Sequence, residues 1–329
     1  MAEWLCSGLQ SRLRRFDSGF SLHSSAGEDK IMANKENNTE KSFSDKWKKN
    51  PSMFFNDILN QNSNTFNWIL KRNGFNNIDD FSTYLNSRNV ILDAGCGNGR
   101  IIALMDSLLP KDHEKIFHGI DLVAHDVAKE NFANQQNMHF SYADLTDKNS
   151  LKDLPKFDFI YCQEVLHHTS DPRKSFLNLV NLLSDDGEIA IYVYKKKATM
   201  REFADDNIRN KISGLEYTQA LELMKPITEL GKILSDLNLK IDVPEIKLLD
   251  IPEGQYDLQR FMYHFFLKCY WNDELSSNEC DVINYDWYHP QLCSRHTFDE
   301  VSDWILDAGL KIQHAYEDHY GITMRASKI

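Results

Sequence analysis

Asp93, Gly95, Gly97 and Gly99 stand at alternate positions in the run Asn89–Met105 (NVILDAGCGNGRIIALM), and that spacing suits a nucleotide. Without a Cβ, each glycine lets the backbone take positive φ and lets a ligand approach closely. A pyrophosphate-binding turn carries GxGxxG; this one reads GxGxG, includes Cys96, and begins with an acid. A carboxylate repels a pyrophosphate and attracts an ammonium or sulfonium, so the turn favours S-adenosylmethionine over NAD.

A second concentration of reactive side chains lies in Asn284–Thr297 (NYDWYHPQLCSRHT), which holds Tyr285, Asp286, Trp287, Tyr288, His289, Arg295 and His296. Read as a loop at the ligand edge, it closes an acceptor pocket. His289 or His296 then acts as general base, because imidazole titrates near neutrality, and Tyr288 and Arg295 orient the acceptor. The competing reading makes Trp287 and Tyr288 anchors of a cap and pairs Arg295 with an acid. No paired-cysteine or HxxxH pattern occurs, and His167 and His168 point to different sides of their segment, so no metal is expected.

The elements that must position these groups are legible as alternating strands and helices. Val90-Ile91-Leu92 is the first strand. Ile116–Asp121 ends in an acid 28 residues after Asp93, near the spacing at which a carboxylate meets ribose hydroxyls. Met138–Asp144 and Phe157–Gln163 follow, the latter apolar on both faces as a covered parallel strand must be. Leu182–Tyr194 supplies a fifth.

DAGCGNGR closely resembles the first motif of class I S-adenosylmethionine-dependent methyltransferases, and the strand-end acids come in the order of that family. The resemblance spans Asn89–Ser327 and implies a Rossmann-like α/β fold: a doubly wound, mostly parallel seven-stranded sheet with an antiparallel last strand. It implies an enzyme using S-adenosyl-L-methionine, bound through Asp93, Gly95, Cys96, Gly97, Asp121, Leu122, Asp144, Leu145 and Gln163. Leu122 packs on the adenine and Asp144 accepts from its amino group in this reading. Gln163 and Glu164 end the strand that faces the sulfonium. Val165–Pro172 (VLHHTSDP) resembles ubiquinone/menaquinone C-methyltransferase-like members, with His168 expected to cap the next helix. Asn284–Thr297 resembles a stretch in uncharacterised bacterial methyltransferases that accompany cell-surface glycan or natural-product pathways.

Over 329 residues with 42% hydrophobic content, there is room for one large α/β domain and an insertion. Residues 1–42 read as a disordered or non-native leader; the first 31 have some transit-peptide character, weakened by Glu3 and Asp17, or extend upstream of a start at Met32. Residues 43–88 are helices over the cofactor crevice, 89–194 the cofactor-binding core, 195–290 a helical substrate cap, and 291–329 the rest of the core. Six cysteines without a CxxC pair suggest reduced packing residues, and no apolar run spans a bilayer, so a cytoplasmic location is expected.

A net charge of −12 gives no broad basic field and counts against nucleic acid. The expected acceptor is a small molecule: a sugar, a lipid-linked intermediate or a secondary metabolite, methylated on oxygen, nitrogen or carbon. The alternatives are a tRNA or protein held by Lys195–Lys197 and Arg201, or a non-catalytic S-adenosylmethionine-binding scaffold.

Overall fold

Along the central strands, successive residues bury themselves on opposite faces. Leu92, Ile160, Cys162, Ile189 and Ile191 join one apolar cluster, while Ile91, Phe159, Tyr161 and Ala190 join another. A strand apolar on both sides needs cover on both sides, and this period of two therefore calls for helices above and below the sheet.

The computed structural model describes residues 25–328. Helices α1 (Ser25–Lys49), α2 (Phe55–Leu59), α3 (Asn64–Arg72) and α4 (Ile78–Asn86) precede β1 (Val90–Ala94). The alternating core continues with α5 (Arg100–Ser107), β2 (Ile116–Asp121), α6 (His125–Asn131), β3 (Met138–Tyr142), β4 (Phe157–Gln163), α7 (Pro172–Val180) and β5 (Leu183–Tyr194). Then come α8 (Thr199–Ile212), α9 (Tyr217–Asp236), the hairpin β6 (Lys240–Val243) and β7 (Gly254–Asp257), α10 (Leu258–Phe265) and α11 (Ser277–Tyr288). The chain returns to the sheet through α12 (Phe298–Asp307), β8 (Leu310–Glu317) and β9 (Gly321–Lys328).

The seven-stranded sheet runs β3-β2-β1-β4-β5-β9-β8, parallel from β3 to β5, with β9 antiparallel to both neighbours. The strand order reverses at β1, and beyond the carboxyl ends of β1 and β4 a ligand crevice opens. The backbone N–H groups of Gly95 and Cys96 donate to Ile120 O at 2.7 and 3.0 Å, tying the glycine turn to β2. Asp121 completes the tie: its carboxylate accepts from the N–H of Gly97 (3.0 Å), Val123 (2.9 Å) and Ala124 (2.8 Å).

Two readings of the sequence need correction. Met32–Ser42, expected to be a disordered lead-in, forms the middle of α1; residues 1–24 of the leader lie outside the described residues. The stripe Glu36, Thr39, Glu40, Phe43, Lys46, Trp47 recurs at helical spacing and faces a cavity, so this helix shows polar residues where a core helix shows apolar ones. His168 does not cap α7. Asp171 does, accepting from Lys174 N at 2.9 Å, with Pro172 in the first turn where its missing N–H costs nothing. Among the described residues no helix is long and apolar enough to cross a membrane.

At Gly95 φ is +83°, and a Cβ there would lie 2.2 Å from Val165 Cγ2. Gly95→Ala should therefore cost about 2–4 kcal/mol through strain and overpacking. Urea unfolding checks this, and Val165→Ala in the same chain should return only the overpacking share.

Candidate functional site

Two cavities open beyond the carboxyl ends of the strands, and they share a wall. The first, of about 250 Å³, lies between α1 and the ends of β1–β4. Its lining includes Asp93, Gly95 and Cys96 from the turn after β1, and Asp121 and Leu122 after β2. Asp144 and Leu145 follow β3, Gln163 ends β4, and α1 covers the opening. Gly97 does not line it, because a Cβ at Gly97 would lie 2.9 Å from the Trp47 ring; the residue serves by giving its N–H to Asp121.

The first cavity is rich in acids. Glu36, Glu40, Asp93, Asp121 and Asp144 all line it. Asp93 is 3% exposed and its Oδ2 is buried without a hydrogen-bond partner. Burial pushes its pKa up to about 7, Arg100 opposes the rise and Asp121 adds to it. Burial also raises Glu40, helped by Asp144 and Glu36. An orphaned carboxylate oxygen among further acids fits a ligand that brings its own positive charge. Asp144 Oδ1 is held by the backbone N–H and hydroxyl of Thr146, both at 2.8 Å.

The second cavity, about 530 Å³, extends from the same strand ends toward α3, α10 and α11. Lys46, Arg100, Gln163, Glu164, Tyr194 and Asp286 line both cavities. Gln163 is fixed by an amide–amide pair with Asn73, the C-cap of α3. Glu164 has φ +66°, a left-handed conformation that is strained for a residue with a side chain. Arg72 (3.1 Å) and Arg100 (3.7 Å) hold its carboxylate. Burial opposes charge on Glu164, but the two guanidinium groups outweigh it and keep the pKa low. Asp286 is likewise held low by Lys46 at 2.7 Å, against the effect of burial, and its Oδ1 is buried without a partner.

The structure does not bring the expected acceptor-side residues to either cavity. His289 has both ring nitrogens engaged, Nδ1 with Ser42 Oγ at 2.6 Å and Nε2 with Leu215 O at 3.0 Å. His296 is held between Ser294 Oγ and Glu300, both at 2.8 Å. Tyr288 is fully buried and donates to Lys268 O at 3.1 Å. Arg295 pairs with Glu202 (2.8 Å) and Asp206 (3.0 Å). None of the four lines the cavities.

The physical reason is helical phase. Tyr285–Tyr288 is the last turn of α11 rather than loop, and Ile283, Asp286 and Trp287 occupy the i, i+3 and i+4 positions that face the second cavity. His168 does line the first cavity; its Nδ1 bonds Leu292 O at 2.7 Å, and burial lowers its pKa to about 4. The basic run also divides. Lys195 pairs with Glu317 at 2.7 Å, while Lys197 and Arg201 line the second cavity. Among the described residues no metal-holding group of three or more His, Cys, Asp or Glu converges.

Residues 92–189 match the family model described as a methyltransferase domain. The ubiquinone biosynthesis O-methyltransferase of Coxiella burnetii (strain Dugway 5J108-111) is 28% identical over 191 residues, 55% of this chain and 76% of that protein. The tRNA U34 carboxymethyltransferase of Campylobacter fetus subsp. fetus (strain 82-40) is 29% identical over 220 residues, 63% of this chain and 68% of that protein. Among solved structures, that of a plantazolicin methyltransferase with S-adenosylhomocysteine (SAH) is 14% identical, covering 91% of this chain and 98% of that one at a TM-score of 0.45. The O-methyltransferase family protein from Burkholderia thailandensis is 12% identical at a TM-score of 0.41, covering 76% of this chain and 55% of that one.

The strand order, the acidic glycine turn and the family match define a methyltransferase domain. Over residues 92–189 the chain carries a methyltransferase domain, and the acidic turn within that segment suits a ligand that brings positive charge.

Asp93 is costly to keep buried without a partner. Its folded pKa is raised, so the free protein loses stability as pH climbs from 3.8 towards about 7 and carries the full deficit above that. Asp93→Asn should raise the unfolding free energy by on the order of 2–4 kcal/mol at pH 8 and bring little gain at pH 4. Denaturant unfolding at both pH values measures it; an equal effect at the two would sink the assignment.

Proposed function

We propose that the two cavities are the donor and acceptor halves of one methyl-transfer site, acting on a hydroxyl-bearing small molecule such as a sugar, a lipid-linked intermediate or a secondary metabolite. The observation that carries the reading is the shared wall at the end of β4, where Gln163, Glu164, Tyr194 and Asp286 face both spaces. S-adenosylmethionine supplies a methyl group on a sulfonium carbon, and transfer leaves S-adenosylhomocysteine, a methylated acceptor and the proton that the hydroxyl gives up.

On the donor side, Asp93 Oδ2 receives the ammonium, Asp121 the ribose hydroxyls and Asp144 the adenine amino group. Leu122 and Leu145 flank the base, and Gly95 and Cys96 let the backbone come close. Gln163, held by Asn73, forms the floor where the two halves meet. Transfer then depends on holding the acceptor in line at near-attack distance.

The proton leaving the acceptor goes to Asp286. Its Oδ2 is occupied by Lys46, its Oδ1 has no partner, and it faces both cavities. This replaces His289 and His296, whose nitrogens are engaged elsewhere.

A small-molecule acceptor is supported by the size of the second cavity, which falls within the usual range for ligand pockets. The name of the Coxiella relative adds support for oxygen as the accepting atom. Lys197 and Arg201 face this cavity, which argues against their forming a surface track for tRNA.

Calorimetry should give saturable binding of S-adenosylmethionine and none of NAD, and a small-molecule extract should drive formation of S-adenosylhomocysteine. NAD binding alone, or methyl label entering tRNA and no small molecule, would overturn the reading. Asp286→Asn should lower kcat by about a hundredfold or more with donor affinity retained. Circular dichroism must accompany that measurement, since the substitution strands Lys46.

A further inference from the structure

We infer that the acceptor carries an anionic group, a carboxylate or a phosphate, seated against Lys197, Arg260 and Lys268 in the second cavity. This rests on reading that cavity as the acceptor half of the site.

The two halves have opposite electrostatic character. Acids crowd the donor cavity, whereas Arg72, Lys197, Arg201, Arg260 and Lys268 line the other. Of the cations lining the second cavity, Lys46 pairs with Asp286, Arg72 and Arg100 with Glu164, and Arg201 with Asp205. Three have no carboxylate partner. Lys197 Nζ donates only to the carbonyl oxygens of His319 (2.8 Å) and Tyr320 (2.5 Å). Lys268, 5% exposed, donates to Ile283 O at 3.0 Å. Arg260 reaches Trp271 O at 3.5 Å through one nitrogen, and its Nη1 is buried with no partner.

Cations left without counter-charge in a confined space are expensive, and a protein keeps them where a ligand completes the pairing. Burial, reinforced by Arg201, pushes Lys197 down to about 7; burial likewise brings Lys268 to about 7, against the pull of Asp286. A bound anion would return both to the charged form.

The indole of Trp287 shapes the same wall. Lys268, Arg201 and Lys197 lie 4.8, 5.0 and 5.5 Å from its ring, and its Nε1–H is buried without an acceptor although the residue lines the cavity. Two ammonium groups, a guanidinium and an indole N–H are donors only. A neutral polyol would leave them competing for oxygen lone pairs, whereas a carboxylate or phosphate presents acceptors alone.

The test uses the full chain loaded with S-adenosylhomocysteine. It is titrated with 4-hydroxybenzoate, with phenyl phosphate and with neutral 4-hydroxybenzyl alcohol, at ionic strength matched with potassium chloride. One or both anions should bind saturably and the alcohol at least about tenfold more weakly, the stronger anion identifying carboxylate or phosphate as the source. Lys268→Met and Arg260→Gln should each weaken the anion by about tenfold or more, Lys268→Arg should restore most of it, and donor affinity measured on the same samples should not change.

Equal binding of the alcohol, no binding of either anion, or anion affinity unchanged in both variants would overturn the inference. If the donor binds and the unsubstituted chain methylates neutral acceptors as fast as their anionic counterparts, the anion inference alone falls. If no donor binds, the methyl-transfer reading falls with it.

Discussion

Charges taken out of water at the carboxyl edge of the sheet need counter-charges, and two acids there, Glu164 and Asp286, find theirs on distant elements. Glu164, in a left-handed conformation just past β4, is held by Arg72 from α3 and Arg100 from α5. Asp286 on α11 is held by Lys46 from α1. Removing the acid of either pair leaves Arg72 or Lys46 buried and uncompensated, a cost below the ~3–5 kcal/mol of a fully buried pair because the carboxylates are partly exposed. The pairs therefore specify where the N-terminal helices and the inserted helices must sit relative to the core. Desolvation fixes the enclosure around the site more tightly than shape alone would.

The same constraint accounts for what the sequence reveals and what it hides. The core is legible because its signals are local. Val90-Ile91-Leu92, the glycines after it, and the acids Asp121 and Asp144 at successive strand ends each state their role within a few residues. Helix α1 is illegible by hydrophobic period, since Glu36, Thr39, Glu40 and Lys46 face a ligand space and not a core. The hairpin of β6 and β7 has only four residues in each strand, too few for a pattern to emerge from composition.

Asn284–Thr297 illustrates the limit of composition. Its density of aromatic and titratable residues marks a stretch that supplies cavity wall, yet chemical type alone selects His289 and His296, which do not line it. Helical phase selects Asp286 and Trp287, one turn earlier and on another face. The second cavity has no motif at all. Arg72, Lys197 and the pair Arg260 and Lys268 come from three separate stretches, and only the return of the chain through the insertion makes them neighbours. Its signal in the sequence, the basic run Lys195–Lys197, looks like solvated surface until the chain leaving β5 folds Lys197 onto the cavity wall.

Helix α1 reaches further than its covering of the first cavity suggests. Asn38 bonds Ser213 O and receives the N–H of Gln291 at 2.9 Å. Thr39 receives that of Leu292 at 2.9 Å, and Ser42 meets His289. Every one of these partners belongs to the insertion or to the segment leading out of it, and Lys46 adds the bond to Asp286. The helix is thus a latch common to two compartments. Any displacement of α1 from the first cavity would break these bonds and open one side of the second, so the two spaces share a single mechanical element.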